Sequence, residues 1–433
     1  MKNEIMRVKC IDMTVEGFGV AKVDQLVIFV KGLITGEEAL IKIISFKKNL
    51  AYAIIQELLV PSIHRVTSKC PIAYKCGGCD LRHIDYGYQL ELKQKWIKET
   101  LKNVGGLDLE VKPVVPSPLR DHYRNKVQVP IKDGKMGFYR RNSHDIMEYE
   151  QCFIESDLSN EIVNYLKGII FEKGYDQYFR HLLIKHGFKT EQVMVGLILN
   201  VKKFVGLDEL VTSLAKKFPQ IKSIIVNVNT REDNVILGEQ EYTVYGNSYI
   251  VDELDGILFK ISLKSFYQVN PLQTVNLYNE VVKRADIDKN TEVLDLYSGI
   301  GSISLFVSRY AKHVTGVEIV EPAVLNAKDN AIINGIDNVD FYLDDAANHL
   351  DEHLKNKDVV IVDPPRKGLN KSVIDDITKA NIKKIVYVSC NKATLARDLK
   401  LFIDAGYEVD YVQPFDMFAH SVHVENVALI KKA

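Results

Sequence analysis

The feature that most constrains the fold is a strict alternation of strand-like and helix-like segments after residue 271. The strand-like segments are EVLDLY, HVTGVEI, VDFYLDD, DVVIVDPP and KIVYVSC, and helical stretches such as EPAVLNAKDNAIING stand between them. Parallel strands joined by crossover helices produce this order. The pattern predicts an α/β fold with an open, mostly parallel sheet and helices on both faces, where ligands bind beyond the carboxyl ends of the strands.

The chain ahead of this segment has different patterns. Residues 4–59 alternate apolar and polar residues between turn glycines, which predicts a small β-barrel of short strands. Residues 85–104 have helical spacing, and residues 111–262 mix strand-like runs with fewer helices, as in an antiparallel α+β domain. We therefore expect three domains, at residues 1–60, 61–265 and 266–433.

The composition is that of an ordinary globular protein. Of 433 residues, 46% are hydrophobic and 26% are charged, which excludes a disordered or fibrous chain. The first residues carry charges without an apolar segment of signal-peptide length, and no window approaches a membrane span. We expect a cytoplasmic protein.

Charge is unevenly distributed along the chain. The formal net charge is only -1, but residues 61–141 contain 16 Lys and Arg against 8 Asp and Glu, a local net charge of +8. Aromatic residues are interleaved with the basic ones, as in RNKVQVPIKDGKMGFYRR. Such a segment suits phosphate contacts, although a solvated basic face explains the charge alone equally well.

A glycine-containing loop follows the first strand of the alternating segment, in VLDLYSGIGSISL. Gly299 and Gly301 let the loop pass close to a ligand, and Glu318 ends the next strand, where it could accept hydrogen bonds from ribose hydroxyls. A dinucleotide site would favour a third glycine where Ser304 stands. Asp295, before the glycines, better suits the cationic amino-acid end of S-adenosylmethionine, so we favour a methyltransferase over a dehydrogenase.

A thiol and a carboxylate stand at later strand ends. Cys390 closes the strand KIVYVSC, and Glu425 begins the last strand beside His423. One strand before the thiol, the stretch IVDPPRKG has Arg366 after the paired prolines, where amino-methylating enzymes commonly carry an aromatic residue. Methylation of uracil carbon 5 needs a thiolate to add to carbon 6 and a base to remove the carbon 5 proton. Separately, the two residues are more simply a core cysteine and a surface carboxylate; together they favour that chemistry.

These motifs resemble those of a known family, the S-adenosylmethionine-dependent RNA (uracil-5-)-methyltransferases. SFYQVNP, DLYSGIGS, DPPRKG, SCN and HVE occur in the family's order, and the resemblance covers nearly the whole chain. It implies a C-terminal Rossmann-like methyltransferase domain. It also implies that Cys390 is the nucleophile and Glu425 the proton-abstracting base.

The resemblance extends to binding residues. The residues that it places around S-adenosylmethionine are Gln268, Tyr297, Glu318 and Asp363. Phe266 and Arg366 are the expected base-handling residues, by stacking and by hydrogen bonding to a uracil oxygen. Some family members carry an asparagine after the glycine loop, where this chain has Ser302, so that contact is not expected.

Four of the six cysteines form a separate group. Cys70, Cys76 and Cys79 lie in CPIAYKCGGC, and Cys152 follows at a distance, whereas Cys10 falls within a strand-like run and is expected in the core. In a cytoplasmic chain such clustering favours a metal over disulfides, and the spacing alone leaves zinc and an iron-sulfur cluster open. The resemblance to the ribosomal-RNA branch implies a structural [4Fe-4S] cluster on these four cysteines.

The front of the chain bears on the substrate. Residues 4–59 resemble a TRAM domain, a small RNA-binding barrel found in many of these enzymes. The family resemblance implies that a chain with both the barrel and the cysteine cluster acts on a loop uridine of 23S ribosomal RNA, with a transfer-RNA uridine as the alternative. The target must be single-stranded or flipped out of a helix to reach the thiol.

Two rival functions stay open on the sequence. One is a methyltransferase of the same fold that acts on cytosine, a protein or a small molecule; cytosine enzymes usually carry a further cysteine at the position of Arg366. The other is a non-catalytic RNA-binding module that retains the fold. Retention of both Cys390 and Glu425 argues against a module without catalysis.

Overall fold

The computed structural model of the chain describes residues 2–141, 143–348 and 350–433. The first residue of the expected barrel domain, 1–60, lies outside the described residues. No helix within the described ranges is long and apolar enough to cross a membrane.

A closed barrel forms near the front of the chain, as predicted. Its strands are β1 (Ile5–Met13), β2 (Phe18–Val23), β3 (Leu26–Lys31), β4 (Glu38–Lys47) and β5 (Leu50–Val60). The strand order is β1-β2-β3-β5-β4, and β1 pairs with β4 to close the barrel. Alternate residues fill the interior, including Val8, Ile28, Ile41 and Cys10, so the expected core position of Cys10 is confirmed.

Helix α1 (Tyr86–Gly105) confirms the helix predicted over residues 85–104. Asp85 caps its first turn by accepting a hydrogen bond from the Tyr88 amide, and Gly106 ends it in the left-handed conformation. One side packs on the barrel, where the Trp96 indole donates to the Met13 carbonyl. The helix also contributes Ile97 to a core that it shares with the C-terminal sheet.

The central region is built on a sheet with the strand order β13-β12-β11-β10-β6-β7. Its elements are β6 (Lys126–Lys132), β7 (Lys135–Met136), α2 (Asp157–Glu172), β10 (Phe179–His186), β11 (Val193–Leu199), α3 (Leu207–Lys217), β12 (Ile221–Val228) and β13 (Gln240–Gly246). Two short ribbons accompany it: β8 (Phe138–Tyr139) with β9 (Ile146–Met147), and β14 (Tyr249–Leu254) with β15 (Ile257–Ser262).

The expectation of a purely antiparallel central domain is wrong at one pair of strands. β11 and β12 run parallel, while the other paired strands of this sheet are antiparallel. Helix α3 lies between these two strands in the sequence. It forms a crossover connection, which returns the chain to the same end of the sheet so that β12 runs parallel to β11. The sheet is therefore mixed.

The C-terminal region contains the predicted open sheet. Its strands are β16 (Glu292–Leu296), β17 (His313–Glu318), β18 (Val339–Leu343), β19 (Val359–Val362), β20 (Lys384–Ser389), β21 (Tyr407–Phe415) and β22 (Glu425–Lys432). The order is β18-β17-β16-β19-β20-β22-β21. The first five strands in that order are parallel, and β22 joins β20 antiparallel.

Helices cover both faces of this sheet, as predicted. They are α4 (Pro271–Ala285), α5 (Ser302–Ser308), α6 (Glu321–Ile333), α7 (Leu350–Leu354), α8 (Lys371–Lys379) and α9 (Lys392–Asp404). One apolar core packs α4, α5 and α6 on one face, and a second packs α7, α8 and α9 with α1 on the other. Burial on both faces explains why these strands are nearly continuous runs of apolar residues.

Candidate active site

The side chains predicted to carry the chemistry lie at one edge of the C-terminal sheet. Glu318 is the last residue of β17, Asp363 follows β19 and Cys390 follows β20. Glu425 reaches the same edge from the opposite direction, because β22 is antiparallel and begins there. The edge is the carboxyl end of the parallel strands, where ligands bind in sheets of this kind.

The glycine loop between β16 and α5 is tied to Glu318. One carboxylate oxygen of Glu318 accepts from the Gly299 amide at 3.0 Å, and the other accepts from the Val320 amide at 2.9 Å. Tyr297 opens the loop in the left-handed conformation, with φ of 67°. This backbone is unfavourable for an aromatic residue and is held by a hydrogen bond from the Tyr297 amide to the Val317 carbonyl. The loop is thereby fixed over the strand ends.

Two carboxylates lie beside this loop, and one of them is removed from water. Asp295 is fully buried; one of its oxygens accepts from the Ser304 hydroxyl at 2.5 Å, and the other has no hydrogen-bond partner among the described residues. Burial raises the pKa of Asp295 to about 7, and burial likewise raises the pKa of Asp363 to about 7. Such groups gain stability from a cationic or hydrogen-bond-donating ligand. The set fits the charged amino-acid portion of S-adenosylmethionine.

Cys390 and Glu425 are neighbours across two paired strands. Ser389 of β20 pairs with Asn426 of β22 in an antiparallel register. Cys390, which follows Ser389, therefore lies opposite Glu425, which precedes Asn426. Burial raises the pKa of the Cys390 thiol to about 11, with the charges of Glu425 and Asp363 adding to the effect. Burial and then Asp363 raise the pKa of Glu425 well above its usual range. A positive charge placed at this edge would lower both pKa values and so favour the thiolate and the carboxylate.

The DPPR loop after β19 is held by the start of α9. The Asn391 side chain donates to the Arg366 carbonyl at 2.9 Å. Asp398, fully buried, accepts from the Leu369 amide at 2.9 Å and from the Tyr387 hydroxyl at 2.7 Å. Sequence reasoning missed Asp398, because its partner Leu369 lies 29 residues away and no local pattern marks the pair.

Arg366 and Phe266, the predicted base-handling residues, are both exposed. Arg366 approaches the Nδ1 atom of His423 at 3.5 Å, which places it beside the strand that begins with Glu425. Phe266 is 67% exposed and lies on a loop between β15 and α4, whereas Gln268 on the same loop is buried. The contact with His423 thus places Arg366 at the sheet edge that carries Cys390. The position of Phe266 is set by the loop between β15 and α4.

The segment 416–424, which leads into Glu425, is clamped by helix α1. Lys93 of α1 and Asp416 are both fully buried and form an ion pair at 2.5 Å. The Tyr86 hydroxyl donates to the other oxygen of Asp416 at 2.7 Å, and the Lys93 amine also donates to the Phe418 carbonyl. These residues, absent from the sequence-based predictions, fix the backbone that precedes the buried carboxylate.

We expect Lys93→Met to lower the free energy of unfolding by about 3–5 kcal/mol, because it leaves the buried Asp416 carboxylate without its cation. Urea denaturation followed by fluorescence measures this. The matched control is Lys95→Met on the same helix, whose ion pair with Asp12 is about half exposed and should contribute less than about 1 kcal/mol. Equal losses in the two variants would contradict the assignment of the clamp to Lys93.

The four clustered cysteines line one cavity of about 610 Å³ beside the central sheet. They are Cys70, Cys76, Cys79 and Cys152. Arginine side chains line the same cavity, namely Arg82, Arg124, Arg140 and Arg141. Across the described ranges, no group of three or more His, Cys, Asp or Glu side chains is arranged as it would be around a metal ion. The structure therefore brings the predicted ligands to a common cavity without bringing them to ligand spacing.

Comparison with known proteins agrees with this architecture. A family model described as tRNA (Uracil-5-)-methyltransferase matches residues 85–433. A protein of Bacillus cereus described as an uncharacterized RNA methyltransferase is 41% identical, with 100% of this chain and 97% of that protein covered. Another of Clostridium acetobutylicum, described in the same way, is 42% identical over 96% of this chain and 94% of its own.

A solved structure is similar over nearly the full length. It is the Pyrococcus abyssi tRNA (uracil-54, C5)-methyltransferase in complex with S-adenosyl-L-homocysteine. The TM-score is 0.81 at 30% sequence identity, and the alignment covers 98% of this chain and 99% of that one. With a family match over most of the chain, a full-length relative above 40% identity and a shared fold, this chain belongs to the RNA (uracil-5-)-methyltransferase family.

Proposed function

We propose that this enzyme methylates carbon 5 of a loop uridine in 23S ribosomal RNA, with S-adenosylmethionine as the methyl donor. The observation that carries the proposal is the juxtaposition of Cys390 and Glu425 at the carboxyl edge of the sheet. A thiol and a buried carboxylate side by side are the two groups that carbon methylation of uracil requires. Methylation of an amino group or a ribose hydroxyl would not need the thiol.

The roles follow from the chemistry. The Cys390 thiolate adds to carbon 6 of the uracil, which makes carbon 5 nucleophilic. After carbon 5 has gained the methyl group, Glu425 takes its proton, and the electron pair of that C–H bond expels the thiolate from carbon 6. Burial makes Glu425 a stronger base than a solvated carboxylate once it is ionised, which suits removal of a proton from carbon.

S-adenosylmethionine supplies the methyl group when bound. The residues that would hold it are Gln268, Tyr297, Glu318 and Asp363. Glu318 is already fixed by two backbone amides at the end of the second strand, where a ribose would lie. Arg366, beside His423, would donate to a uracil oxygen, and Phe266 would stack on the base.

Three domains would share the work. We assign residues 1–60 as a TRAM-like RNA-binding barrel, 61–265 as a central domain with RNA contacts and the cysteine site, and 266–433 as the methyltransferase domain. The barrel and the segment of +8 net charge offer more phosphate-binding surface than a short stem-loop requires. That surplus favours a longer ribosomal fragment as the partner.

Transfer RNA is the second candidate substrate. The Pyrococcus abyssi enzyme is named for a transfer-RNA uridine, and its structure covers 98% of this chain, a span that includes most of the barrel. An architecture of this kind is thus compatible with either RNA.

A methylation assay with labelled S-adenosylmethionine and bulk RNA from a strain that lacks this gene distinguishes the two candidate substrates. After incubation with the enzyme, the large ribosomal RNAs are resolved from transfer RNA and the label is located. We expect the label in 23S ribosomal RNA. Label confined to transfer RNA would overturn the substrate while leaving the chemistry in place.

The same chain would carry a [4Fe-4S] cluster on Cys70, Cys76, Cys79 and Cys152. The shared cavity supports this, since a cluster with four thiolate ligands has a net negative charge that lining arginines such as Arg124 and Arg140 would offset. The cluster would pin the central domain and take no part in methyl transfer.

Anaerobically purified protein should be brown and contain about four iron and four sulfide per chain. We expect Cys76→Ser to lose most of this iron and to reduce soluble yield or RNA binding more than S-adenosylmethionine binding. Cys10→Ala, in the barrel core, is the matched control and should retain the iron. Zinc in colourless anaerobic protein would replace the iron-sulfur assignment.

A further inference from the structure

Lys185 is a buried lysine in an unusual setting. It lies near the end of β10, is 5% exposed, and its amine donates to two backbone carbonyls, those of Ser262 and Ser265, each at 2.7 Å. Burial lowers its pKa well below the usual range; repulsion by Lys126 adds to this effect and attraction by Glu241 opposes it. Burying an amine is costly unless it is hydrogen-bonded, and both of these bonds go to the end of β15 and the loop that follows it.

The segment it holds is the loop 262–270 that joins β15 to α4. Ser265 and Tyr267 are buried, and Phe266 between them is 67% exposed. The Ser265 hydroxyl is bonded from the other side by the Asn326 side chain of α6 at 3.0 Å. Buried neighbours on both sides therefore present the Phe266 ring to solvent on a fixed backbone.

A second residue grips the other half of the same loop. Asn125, 4% exposed, donates from its side chain to the Gln268 carbonyl at 2.9 Å and from its backbone amide to the Val269 carbonyl at 3.0 Å. The Asn125 carbonyl in turn accepts from the His186 amide at 2.8 Å, next to Lys185 on β10. Both anchors thus come from the central region, Lys185 from β10 and Asn125 from the residue before β6, but they bond different parts of the loop.

We propose that Lys185 and Asn125 are positioning residues that set the two halves of this loop separately: Lys185 sets Phe266 for the target base, and Asn125 sets Gln268 for the cofactor. The proposal rests on the proposed function, which assigns the base to Phe266 and S-adenosylmethionine to Gln268. In this proposal the central region, outside the methyltransferase domain, affects the binding of RNA and of cofactor through separate contacts.

We expect two variants to have opposite effects on RNA binding and cofactor binding. Lys185→Met removes the amine that makes both hydrogen bonds, with little change in volume, and should raise the dissociation constant for RNA, measured by filter binding, by roughly 10-fold or more, the scale of a lost aromatic-base stack. Its dissociation constant for S-adenosylmethionine, measured by calorimetry without RNA, should change less than about 2-fold. Asn125→Leu should show the reverse, with weaker cofactor binding and little change in RNA binding. Lys216→Met, an exposed lysine on α3, controls for the lost charge.

Further variants separate positioning from general destabilisation. Phe266→Ala should raise the dissociation constant for RNA as Lys185→Met does, and the double variant should be no worse than the poorer single variant, because both act through one ring. If Lys185→Met is insoluble, Lys185→Gln, which retains one donor group, carries the experiment with the same direction of change.

Equal shifts of both binding constants in both variants, or additive effects with Phe266→Ala, would overturn the positioning roles. Failure of the proposed function would look different. The unaltered enzyme would then transfer no methyl group to any uridine-containing RNA. The dissociation constants for RNA and for S-adenosylmethionine would still test the roles of Lys185 and Asn125.

Discussion

Cys390→Ala is expected to abolish methyl transfer to RNA, with a loss of about 10⁴-fold or more in kcat, because no other group would open carbon 5 to alkylation. The dissociation constant for S-adenosylmethionine should stay within about 2-fold of the unaltered enzyme, since the thiol is proposed to meet the base. Transfer of a labelled methyl group to RNA measures the first quantity, and calorimetry the second.

A matched control is available in Cys10→Ala. Cys10 is buried in the barrel, away from the sheet edge that carries Cys390, so its loss should leave kcat nearly unchanged. Comparable turnover by Cys390→Ala and the unaltered enzyme would remove Cys390 as the nucleophile.

Glu425→Gln is expected to trap the enzyme on its RNA. The amide can no longer take the carbon 5 proton, so the thiolate cannot be expelled from carbon 6 and the methylated base stays attached to Cys390. A protein-RNA adduct that survives denaturation should appear on gels with end-labelled RNA, while turnover falls by about 10²–10⁴-fold.

The double variant Cys390→Ala with Glu425→Gln should form no adduct, because the bond is to the cysteine sulfur. An adduct that persists without Cys390 would place the covalent bond on another residue. Full turnover by Glu425→Gln, with no adduct, would exclude Glu425 as the base.

The fold of the C-terminal region was predictable because its pattern is local and repeated. Strands buried on both faces are apolar throughout, and each is followed by a helix, so strand identity and the position of the ligand edge follow from the sequence. The barrel was predictable from alternation between turn glycines. The parallel pair β11 and β12 was missed, because the strand-like run at Ile221–Val228 does not itself reveal which neighbour it joins.

The site was predictable as far as strand ends determine it. Cys390 and Glu425 could be expected together, since Cys390 follows one strand of the sheet and Glu425 begins another. The contacts that hold the segment before Glu425 and the loop that carries Phe266 and Gln268 could not be predicted. Lys93 and Asp416 lie 323 residues apart, and Asn125 and Gln268 lie 143 apart, and nothing in either local sequence marks the partner.

At the cysteine site, too, the sequence predicted which residues lie together but not their detailed geometry. Spacing identified the residues that would share a site, and the structure brings all four to one cavity. Zinc and an iron-sulfur cluster differ in sulfur-to-metal distances, which a one-dimensional spacing does not specify. The choice of RNA substrate is not readable from the motifs either, because ribosomal and transfer RNA would offer the same uracil to the proposed pair, Cys390 and Glu425.

The central claim is that carbon 5 of an RNA uracil exchanges its proton for a methyl group on this enzyme. RNA prepared with uridine tritiated at carbon 5, incubated with S-adenosylmethionine and the enzyme, measures that exchange directly as tritium released to water. We predict release in equal molar amount to the methyl groups incorporated, and none with Cys390→Ala. Methyl incorporation without tritium release would contradict the claim, since it would place the methyl group on another atom.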